Sequence, residues 1–275
     1  MNRLLPILVA GLSLTSVAQA DDWCKHKADR SASIDTTGAR RVVIGTGAGD
    51  LKVRGESGRS KVEAKGEACA SNEELLGKIQ LETRRDGETV YLKTLMPEMK
   101  DGSWFGSTYA TMDLVIALPD SIPIELEDSS GDLELHKVRS AIVADSSGEM
   151  EIEDIQGDLE VTDSSGDIEI EQVAGNLKLS DSSGDIHVEG VKGDVVIPID
   201  SSGDIRIVQV GSVHIRNDTS GEIFVRNVNR DVRVDVDSSG DINVEDVGGN
   251  FSVGADSSGS VRHSRVVGTV QVAER

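Results

Sequence analysis

The sequence has few positive charges and, after residue 20, no long apolar run. Its 275 residues contain 28 lysines and arginines against 49 aspartates and glutamates, so the formal net charge is −21 at pH 7. Binding to nucleic acid needs a basic surface, so this balance excludes nucleic acid as the expected partner. The shortage of apolar runs predicts that no transmembrane segment remains once the first twenty residues are removed.

Cysteines are also scarce, because Cys24 and Cys69 are the only two in the chain. In an exported protein two cysteines most simply pair with each other. Closing a loop of this length would stabilise the fold by about 4 kcal/mol in the chain-entropy model. We therefore predict a Cys24–Cys69 disulfide, with a free reactive pair as the alternative.

The first twenty residues have the layout of a secretory signal peptide. Arg3 supplies a positive charge, residues 4–17 an apolar stretch, and Ala18-Gln19-Ala20 a small-residue cleavage site. A membrane anchor is the alternative, but the apolar stretch is too short to cross a bilayer comfortably. Cys24 lies four residues after the predicted cut, which argues against a lipid-modified amino terminus. We expect residues 1–20 to direct export to the bacterial periplasm, the cell surface or the medium.

One turn recurs eight times in the second half of the chain. The tetrapeptide D-S-S-G, which reads D-T-S-G in one copy, begins at Asp128, Asp145, Asp163, Asp181, Asp200, Asp218, Asp237 and Asp256. The copies are 17 to 19 residues apart. A fixed period of this size indicates a solenoid, in which each repeat stacks on the next.

Within each repeat, apolar and polar residues alternate in two short runs, as in half-buried β-strands. In one coil the residues expected to point inward are Ile168, Ile170, Val173, Leu177 and Leu179. Stacked coils would align such residues about 4.8 Å apart in aliphatic columns. We predict an all-β fold, with a parallel β-solenoid of about eight coils over residues 128–275. A sandwich of antiparallel hairpins is the alternative, although it would not require the same turn at every second connection.

Residues 21–127 lack this period but are rich in strand-like runs. Strands are expected at Arg41–Ile44, Asp50–Arg54, Lys61–Lys65, Ile79–Thr83, Thr89–Leu95 and Thr108–Leu118. The last two flank a turn-rich segment and resemble a long hairpin. A short helix is expected over Ser71–Gly77, with Ser71 as its cap and Glu74 three residues on. Because an open stack of strands has an exposed edge, we predict that residues 21–127 form an irregular β-rich cap and the first coils.

Each D-S-S-G corner carries one acid before the serines and usually a second after the glycine. Asp in the first turn position accepts backbone N–H bonds, and serines can form hydrogen-bond ladders along the stack, so the corners have a structural explanation. The alternative is a row of divalent cations, because oxygen ligands in turns suit Ca²⁺. Ca²⁺ is the one cofactor considered, and its candidate ligands are Asp163, Asp167, Asp181, Asp185, Asp200 and Asp204.

The sequence contains no recognisable catalytic set. A nucleophilic serine needs a positioned base, and the five histidines do not recur with the repeat. The segment Gly45–Asp50 resembles a phosphate loop only in its glycines, because a strand rather than a helix is expected after it. Polysaccharide lyases on parallel β-helices are the remaining enzymatic comparison, but they add long loops that build a cleft. We therefore expect no enzymatic activity, and a polysaccharide-acting enzyme is the least favoured alternative.

The exposed side of the repeats changes in charge along the stack. The outward centre of the first strand of each repeat reads Glu134, Glu151, Glu169, His187, Arg206, Phe224, Asn243 and Arg262. This series is either a solvated face or a polarised strip that docks a protein or a glycan. Outside the repeats, Trp104 and Phe105 lie beside glycines and form either a lid on the core or an exposed contact tip. The candidate interaction residues are Trp104, Phe105, Arg206 and Phe224.

The run of G-D-[IL]-x-[IV] strands separated by S-G turns, after an irregular β-rich segment and a signal peptide, resembles a known bacterial family. It is similar to the β-strand-repeat proteins of unknown function that are grouped as candidate adhesins. The resemblance covers residues 40–275 and implies an envelope or surface role, but it brings no functional residues with it. We expect a non-enzymatic exported scaffold or interaction module that binds an unidentified envelope protein or glycan. A Ca²⁺-binding protein like a β-roll is the alternative.

Overall fold

The computed structural model describes residues 24–98 and 108–273, which form an almost entirely β structure. The predicted signal peptide, residues 1–20, lies outside the described residues, and so do Trp104 and Phe105. Within the two described ranges, no helix has the length and apolar character needed to cross a bilayer.

The N-terminal region contains long strands and one short helix. Its elements are β1 (His26–Asp35), β2 (Arg41–Gly45), β3 (Leu51–Glu56), β4 (Lys61–Ala70), α1 (Glu73–Lys78), β5 (Gln80–Asp86), β6 (Thr89–Leu95) and β7 (Ala110–Pro119).

From residue 124 onward the strands are short and follow one another regularly. They are β8 (Ile124–Glu127), β9 (Leu133–His136), β10 (Ala141–Ala144), β11 (Met150–Ile155), β12 (Leu159–Thr162), β13 (Ile168–Val173), β14 (Leu177–Ser180), β15 (Ile186–Glu189), β16 (Asp194–Ile197), β17 (Ile205–Val210), β18 (Ser212–Asp218), β19 (Ile223–Val228), β20 (Val232–Asp237), β21 (Ile242–Val247), β22 (Phe251–Asp256), β23 (Val261–Val266) and β24 (Val270–Val272).

The strands form two twelve-stranded sheets that enclose one aliphatic core. Sheet A has the order β1-β4-β7-β3-β9-β11-β13-β15-β17-β19-β21-β23, and sheet B the order β24-β22-β20-β18-β16-β14-β12-β10-β8-β2-β6-β5. Each coil from β9 onward contributes one strand to each sheet. Each of these strands pairs in parallel with the equivalent strands of the neighbouring coils, as Ile168 does with Ile186 and Leu177 with Leu159. This pairing confirms the parallel β-solenoid of about eight coils and excludes a sandwich of antiparallel hairpins.

The inward residues are the ones that the alternation predicts. Ile168, Ile170, Val173, Leu177 and Leu179 are all buried, as are their equivalents in the neighbouring coils. These side chains belong to one continuous cluster that runs from Val42 to Val253. Burial of each such side chain contributes about 1.5–3 kcal/mol, so the core stabilises every coil through its neighbours.

The N-terminal strands close one end of the stack with antiparallel edges. β1 pairs with β4 at the edge of sheet A, and β5 pairs with β6 at the edge of sheet B, both antiparallel. The expected hairpin between Thr89–Leu95 and Thr108–Leu118 is wrong, because β6 lies in sheet B and β7 in sheet A. The tight turn at Gly87 pairs β6 with β5 instead, and β7 crosses to the other sheet as consecutive strands of a solenoid do.

The coils are not stacked in chain order at this end. The coil made by β2 and β3 lies between the pair β6 and β7 and the pair β8 and β9, since β2 contacts β6 and β8 while β3 contacts β7 and β9. In chain order, the inner coil made by β2 and β3 therefore comes before the end coil made by β6 and β7.

The short helix is present, but its cap differs from the expected one. Asn72 is the N-cap, and its side-chain oxygen accepts a hydrogen bond from the Leu75 N–H at 2.9 Å. Ser71 is instead tied to Tyr109, because its N–H donates to the Tyr109 carbonyl oxygen. The helix begins at Glu73, so the predicted Ser71 cap is one residue too early.

Candidate functional site

The outward centres of the sheet A strands form one continuous strip. In the strand register Glu134 pairs with Glu151, Glu151 with Glu169, and each later member with the next. We call this series the outer strip: Glu134, Glu151, Glu169, His187, Arg206, Phe224, Asn243 and Arg262. With strands about 4.8 Å apart, the strip runs for about 35 Å and changes from acidic to mixed and basic. The structure thus places these eight residues in the predicted alignment.

Arg206 and Phe224 meet at the middle of the outer strip. The guanidinium carbon of Arg206 lies 4.6 Å from the centroid of the Phe224 ring, which is a cation–π contact. Within the described residues Arg206 has no carboxylate at ion-pair distance, whereas Arg226 faces Asp246 at 3.6 Å and Arg262 faces Asp241 at 2.7 Å. Arg206 is therefore an exposed cation that is held by a ring rather than neutralised by an acid.

The acidic end of the face is wider than the outer strip alone. A second outward column runs beside it through His136, Glu153, Glu171 and Glu189. At the end of the outer strip nearest the cap, Lys52 makes an ion pair with Glu134 at 2.6 Å. The second column was not singled out from the sequence, although the alternation that selects Glu134 also selects the residue two positions later.

The corner aspartates that precede the serines point into the solenoid. Seven of them are 0–5% exposed, and they form what we call the inner column: Asp128, Asp145, Asp163, Asp181, Asp200, Asp218 and Asp237. At Asp181 the N–H of the next residue, Ser182, donates to the carboxylate at 2.6 Å. At Asp145, Asp163, Asp200 and Asp237 both carboxylate oxygens are buried without a hydrogen-bond partner.

Burial makes ionisation of the inner column unfavourable. Desolvation raises the pKa of Asp128, Asp163 and Asp200 to about 6. It raises the pKa of Asp218 to about 8, with the neighbouring carboxyl groups of Asp200 and Asp237 as further causes. At neutral pH the column is therefore only partly ionised.

The acids that follow the corner glycines form a separate, exposed column. The aspartates of this column accept the backbone N–H of the equivalent residue in the next coil, as Asp167 does from Asp185 at 2.9 Å and Asp185 from Asp204 at 2.9 Å. A carboxylate that accepts a backbone N–H offsets part of the repulsion along the stack. We call these exposed acids after the corner glycines the outer column, and their hydrogen bonds join successive coils.

The six candidate Ca²⁺ ligands are thus divided between two columns. Asp163, Asp181 and Asp200 are buried, whereas Asp167, Asp185 and Asp204 are exposed. Across the described residues, no three of these six carboxylates bring oxygens within 4.8 Å of one another. Any ion would have to be held by one column alone or with rearrangement.

The remaining corner contacts are structural. From the second corner onward, the second serine donates its hydroxyl to the carbonyl oxygen of the residue after the aspartate in the preceding coil, as Ser165 does to Ser146 at 3.1 Å and Ser183 to Ser164 at 3.2 Å. A Cβ on Gly184 would lie 1.9 Å from the carbonyl oxygen of Gly166, and its φ is +135°, so only glycine fits there. The serines are therefore engaged as a ladder between coils.

One further corner was not recognised in the sequence. Residues Thr46 to Asp50 occupy the same place in the β2–β3 coil, with Ala48 bridged to Ser130 and the Thr46 hydroxyl donating to Asp128 at 2.5 Å. Gly49 takes the position of the corner glycine at φ +125°. The signal was the G-D-L-x-V run from Gly49 to Val53, which matches the G-D-[IL]-x-[IV] run of the repeats but follows neither their first aspartate nor their serines.

Cys24 and Cys69 form a disulfide, with their Cα atoms 5.8 Å apart. The bond joins the segment before β1 to the end of β4, which are neighbouring strands at the closed end of sheet A. It therefore fastens the edge of the cap, as the predicted pairing requires.

Among solved structures, the chain is similar to several bacterial proteins at low identity. A candidate adhesin of Parabacteroides merdae is 11% identical with a TM-score of 0.44, over 90% of this chain and 96% of that one. A candidate adhesin of Parabacteroides distasonis is 14% identical with a TM-score of 0.42, over 90% and 97%. A candidate lipid-binding protein of the same species is 17% identical with a TM-score of 0.40, over 90% and 97%. These likenesses are too distant to support an argument about function.

Comparison with families is more informative. No curated protein matches the sequence. The family model described as Toastrack DUF4097 matches residues 30–272, which include the cap strands and every D-S-S-G corner. The chain belongs to the Toastrack DUF4097 family.

Proposed function

We propose that this protein is a non-enzymatic, exported envelope protein that binds a partner through the outer face of sheet A. The observation that carries the proposal is the outer strip, in which the exposed Arg206 and the half-buried Phe224 form a pair between an acidic end and a basic end. Arginine and aromatic residues supply much of the binding energy at protein interfaces, and a rigid sheet orders them at little entropic cost.

The chemistry of the strip favours a partner with both charged and apolar groups. An envelope protein, or a glycan that stacks on Phe224, fits the Arg206–Phe224 pair, and the net charge of −21 disfavours nucleic acid. Export is supported by the disulfide, since such bonds persist in oxidising compartments.

The test is a binding measurement on separated envelope fractions. Purified protein is immobilised and exposed in turn to envelope proteins and to envelope polysaccharides, with retention measured for the wild type and for Arg206→Ala/Phe224→Ala. We expect the double variant to lose at least about tenfold in affinity, the size of a moderate hot spot. Lys178→Ala, on the outer face of sheet B, is the matched control because it also removes an exposed cation.

Retention of a defined partner by the wild type and Lys178→Ala, but not by the double variant, supports the proposal. Equal retention by all three proteins would assign binding to another surface. Cell fractionation of the native protein is the accompanying check, and recovery in the cytoplasm with its first twenty residues intact would contradict export.

A second candidate function is Ca²⁺ binding at the corners. It is favoured by the unpartnered carboxylate oxygens of Asp145, Asp163 and Asp237, because buried oxygens without hydrogen-bond partners are unusual. Calorimetric titration with Ca²⁺ at pH 7.5 tests it in the wild type, in Asp163→Asn from the inner column and in Asp167→Asn from the outer column. Saturable heat that only Asp163→Asn abolishes supports the inner column, whereas no heat in the wild type removes the candidate.

A further inference from the structure

We propose that His136, Glu151 and Glu153 form a binding site for a divalent transition-metal ion such as Zn²⁺ on the outer face of sheet A. Their ligand atoms, one ring nitrogen and two carboxylate oxygens, all lie within 4.8 Å of one another. In the part of the chain that the structure describes, no other group of three histidine, cysteine or acidic side chains meets this condition.

The parallel register of β9 and β11 brings the three side chains together. His136 is directly opposite Glu153, and Glu134 is directly opposite Glu151, so Glu151 is the diagonal neighbour of His136. Residues two apart on a strand point to the same face, which places all four side chains outward. The strands fix the spacing of the ligands through the backbone, before any ion arrives.

The distances suit a small ion. The Nδ1 atom of His136 lies 3.3 Å from a carboxylate oxygen of Glu153. Ligands at the usual Zn–N and Zn–O distances of about 2.0–2.1 Å stand about 3.3 Å apart in a tetrahedral site. Rotation of the Glu151 side chain, which is exposed, would complete a three-ligand set with room for water in the fourth position.

The surroundings of the imidazole resemble the outer shell of a metal site. The other ring nitrogen of His136 lies 3.9 Å from a carboxylate oxygen of Glu134, and Glu134 is held by Lys52 at 2.6 Å. A carboxylate that accepts a hydrogen bond from a ligating histidine orients the ring and raises its basicity, and Glu134 would take this role by moving closer than its present 3.9 Å. An imidazole ligand also separates the site from a Ca²⁺ site, because Ca²⁺ prefers oxygen ligands alone.

The other histidines on the solenoid faces do not reproduce this arrangement. His214 faces Asp235 at 2.8 Å and His187 faces Glu189 at 3.9 Å, each with a single acid at ion-pair distance. The His136 cluster also lies where the acidic end of the outer strip is beside the acidic end of the second outward column. A bound cation there would offset the repulsion between Glu151 and Glu153.

The test is calorimetric titration of the chelator-treated protein with Zn²⁺, followed by Co²⁺ absorption spectroscopy. The wild type is compared with His136→Gln and Glu153→Gln, which remove one ligand each, and with the control Glu171→Gln. Glu171 occupies the next position in the column of Glu153, so its substitution removes the same charge without removing a ligand. All three substituted side chains lie on the outer face of sheet A, and equal melting temperatures without metal will establish that the variants fold alike.

We expect one Zn²⁺ per chain in the wild type and in Glu171→Gln, with affinity at least tenfold weaker in His136→Gln and Glu153→Gln. Co²⁺ should give ligand-field bands of a four- or five-coordinate site that disappear in His136→Gln. Unchanged Zn²⁺ affinity in His136→Gln, or equal weakening by Glu153→Gln and Glu171→Gln, would overturn the proposal in favour of diffuse attraction by the acidic face. Absence of saturable Zn²⁺ binding to the wild type would overturn it as well.

Discussion

The buried inner column should make this protein more stable in mild acid than at neutral or alkaline pH. An aspartate whose pKa is higher in the folded than in the unfolded chain binds more protons when folded. Its stabilising contribution is therefore complete below the unfolded pKa and is lost as the pH rises through the folded pKa. For Asp128, Asp163 and Asp200 the loss occurs between about pH 4 and 6, and for Asp218 it continues to about pH 8.

The size of the effect follows from these values. A rise from the ordinary value of 3.8 to about 6 corresponds to about 3 kcal/mol for one isolated carboxyl group. At this chain length each kcal/mol shifts the melting temperature by about 2–4 °C. Part of this is already lost at pH 4.5, and about 2 kcal/mol remains to be lost between pH 4.5 and pH 8, so one such group should lower the melting temperature by about 4–8 °C over that range. Below pH 4 the trend should reverse, because some aspartates have a lowered pKa: the Ser212 hydroxyl, followed by Arg230, lowers the pKa of Asp194, and arginine partners lower the pKa of Asp241 and Asp246.

Calorimetric melting from pH 3.5 to 8.5 measures this dependence, and Asp218→Asn identifies its source. Asparagine reproduces the shape and the donor of the protonated carboxyl, so the variant should melt higher than the wild type at pH 8 and close to it at pH 4.5. Asp185→Asn, in the exposed outer column, keeps an oxygen for the Asp204 N–H and is the matched control. A wild-type melting temperature that stays level or rises from pH 5 to 8, with no gain in Asp218→Asn at pH 8, would refute the argument.

Three further predictions concern the stability of the coils. Gly184→Ala should lower the free energy of unfolding by more than about 3 kcal/mol, because its Cβ would meet a backbone carbonyl oxygen at 1.9 Å. Gly190→Ala should lower it by only about 1–2 kcal/mol, because the nearest atom to its Cβ would lie at 3.5 Å. Urea unfolding measures both, and equal losses would contradict the stacked corner. Ile207→Ala should cost about 2–5 kcal/mol in the same assay, since the residue is fully buried, and a cost under 1 kcal/mol would mean that the core is loosely packed there. Reduction of the Cys24–Cys69 bond should lower the melting temperature and speed hydrogen exchange in β1 before the solenoid strands, and uniform exchange along the chain would place the bond's effect elsewhere.

The repeats could be predicted from the sequence because two independent patterns agree there. The alternation selects Leu177 and Leu179 as inward residues, and the period repeats that choice in every coil. The same alternation, continued for two residues, reaches Asp181 and so contained a signal that the first corner acid points inward. The polar character of aspartate outweighed that signal in the prediction, although a protonated carboxyl can be buried.

The cap could not be predicted to the same depth, because its pairing depends on contacts between strands that are not consecutive. Nothing local in Arg41–Gly45 indicates that this strand lies between β6 and β8. Its partners are 48 and 82 residues away in the sequence, counted from Val42 to Val90 and to Ile124. The outer strip could be predicted in part. The register of Arg206 with Phe224 followed from the period, but their 4.6 Å contact depends on side-chain torsions that sequence spacing does not determine.

The repeats allow a comparison between inward positions, which the fold constrains, and outward positions, which it does not. Position by position, the inward side chains are the same kind of residue in every coil before the last strands, because each must fill the same space between the sheets or fit the same corner. The outward centre changes in four successive coils from Glu169 to His187, Arg206 and Phe224, although the backbone around it does not change. Since packing does not constrain these positions, a substitution there should leave the free energy of unfolding within about 0.5 kcal/mol of the wild type. A loss of partner or metal binding in such a variant can therefore be assigned to the surface itself, which makes the outer face of sheet A the part of the molecule where function can be tested separately from folding.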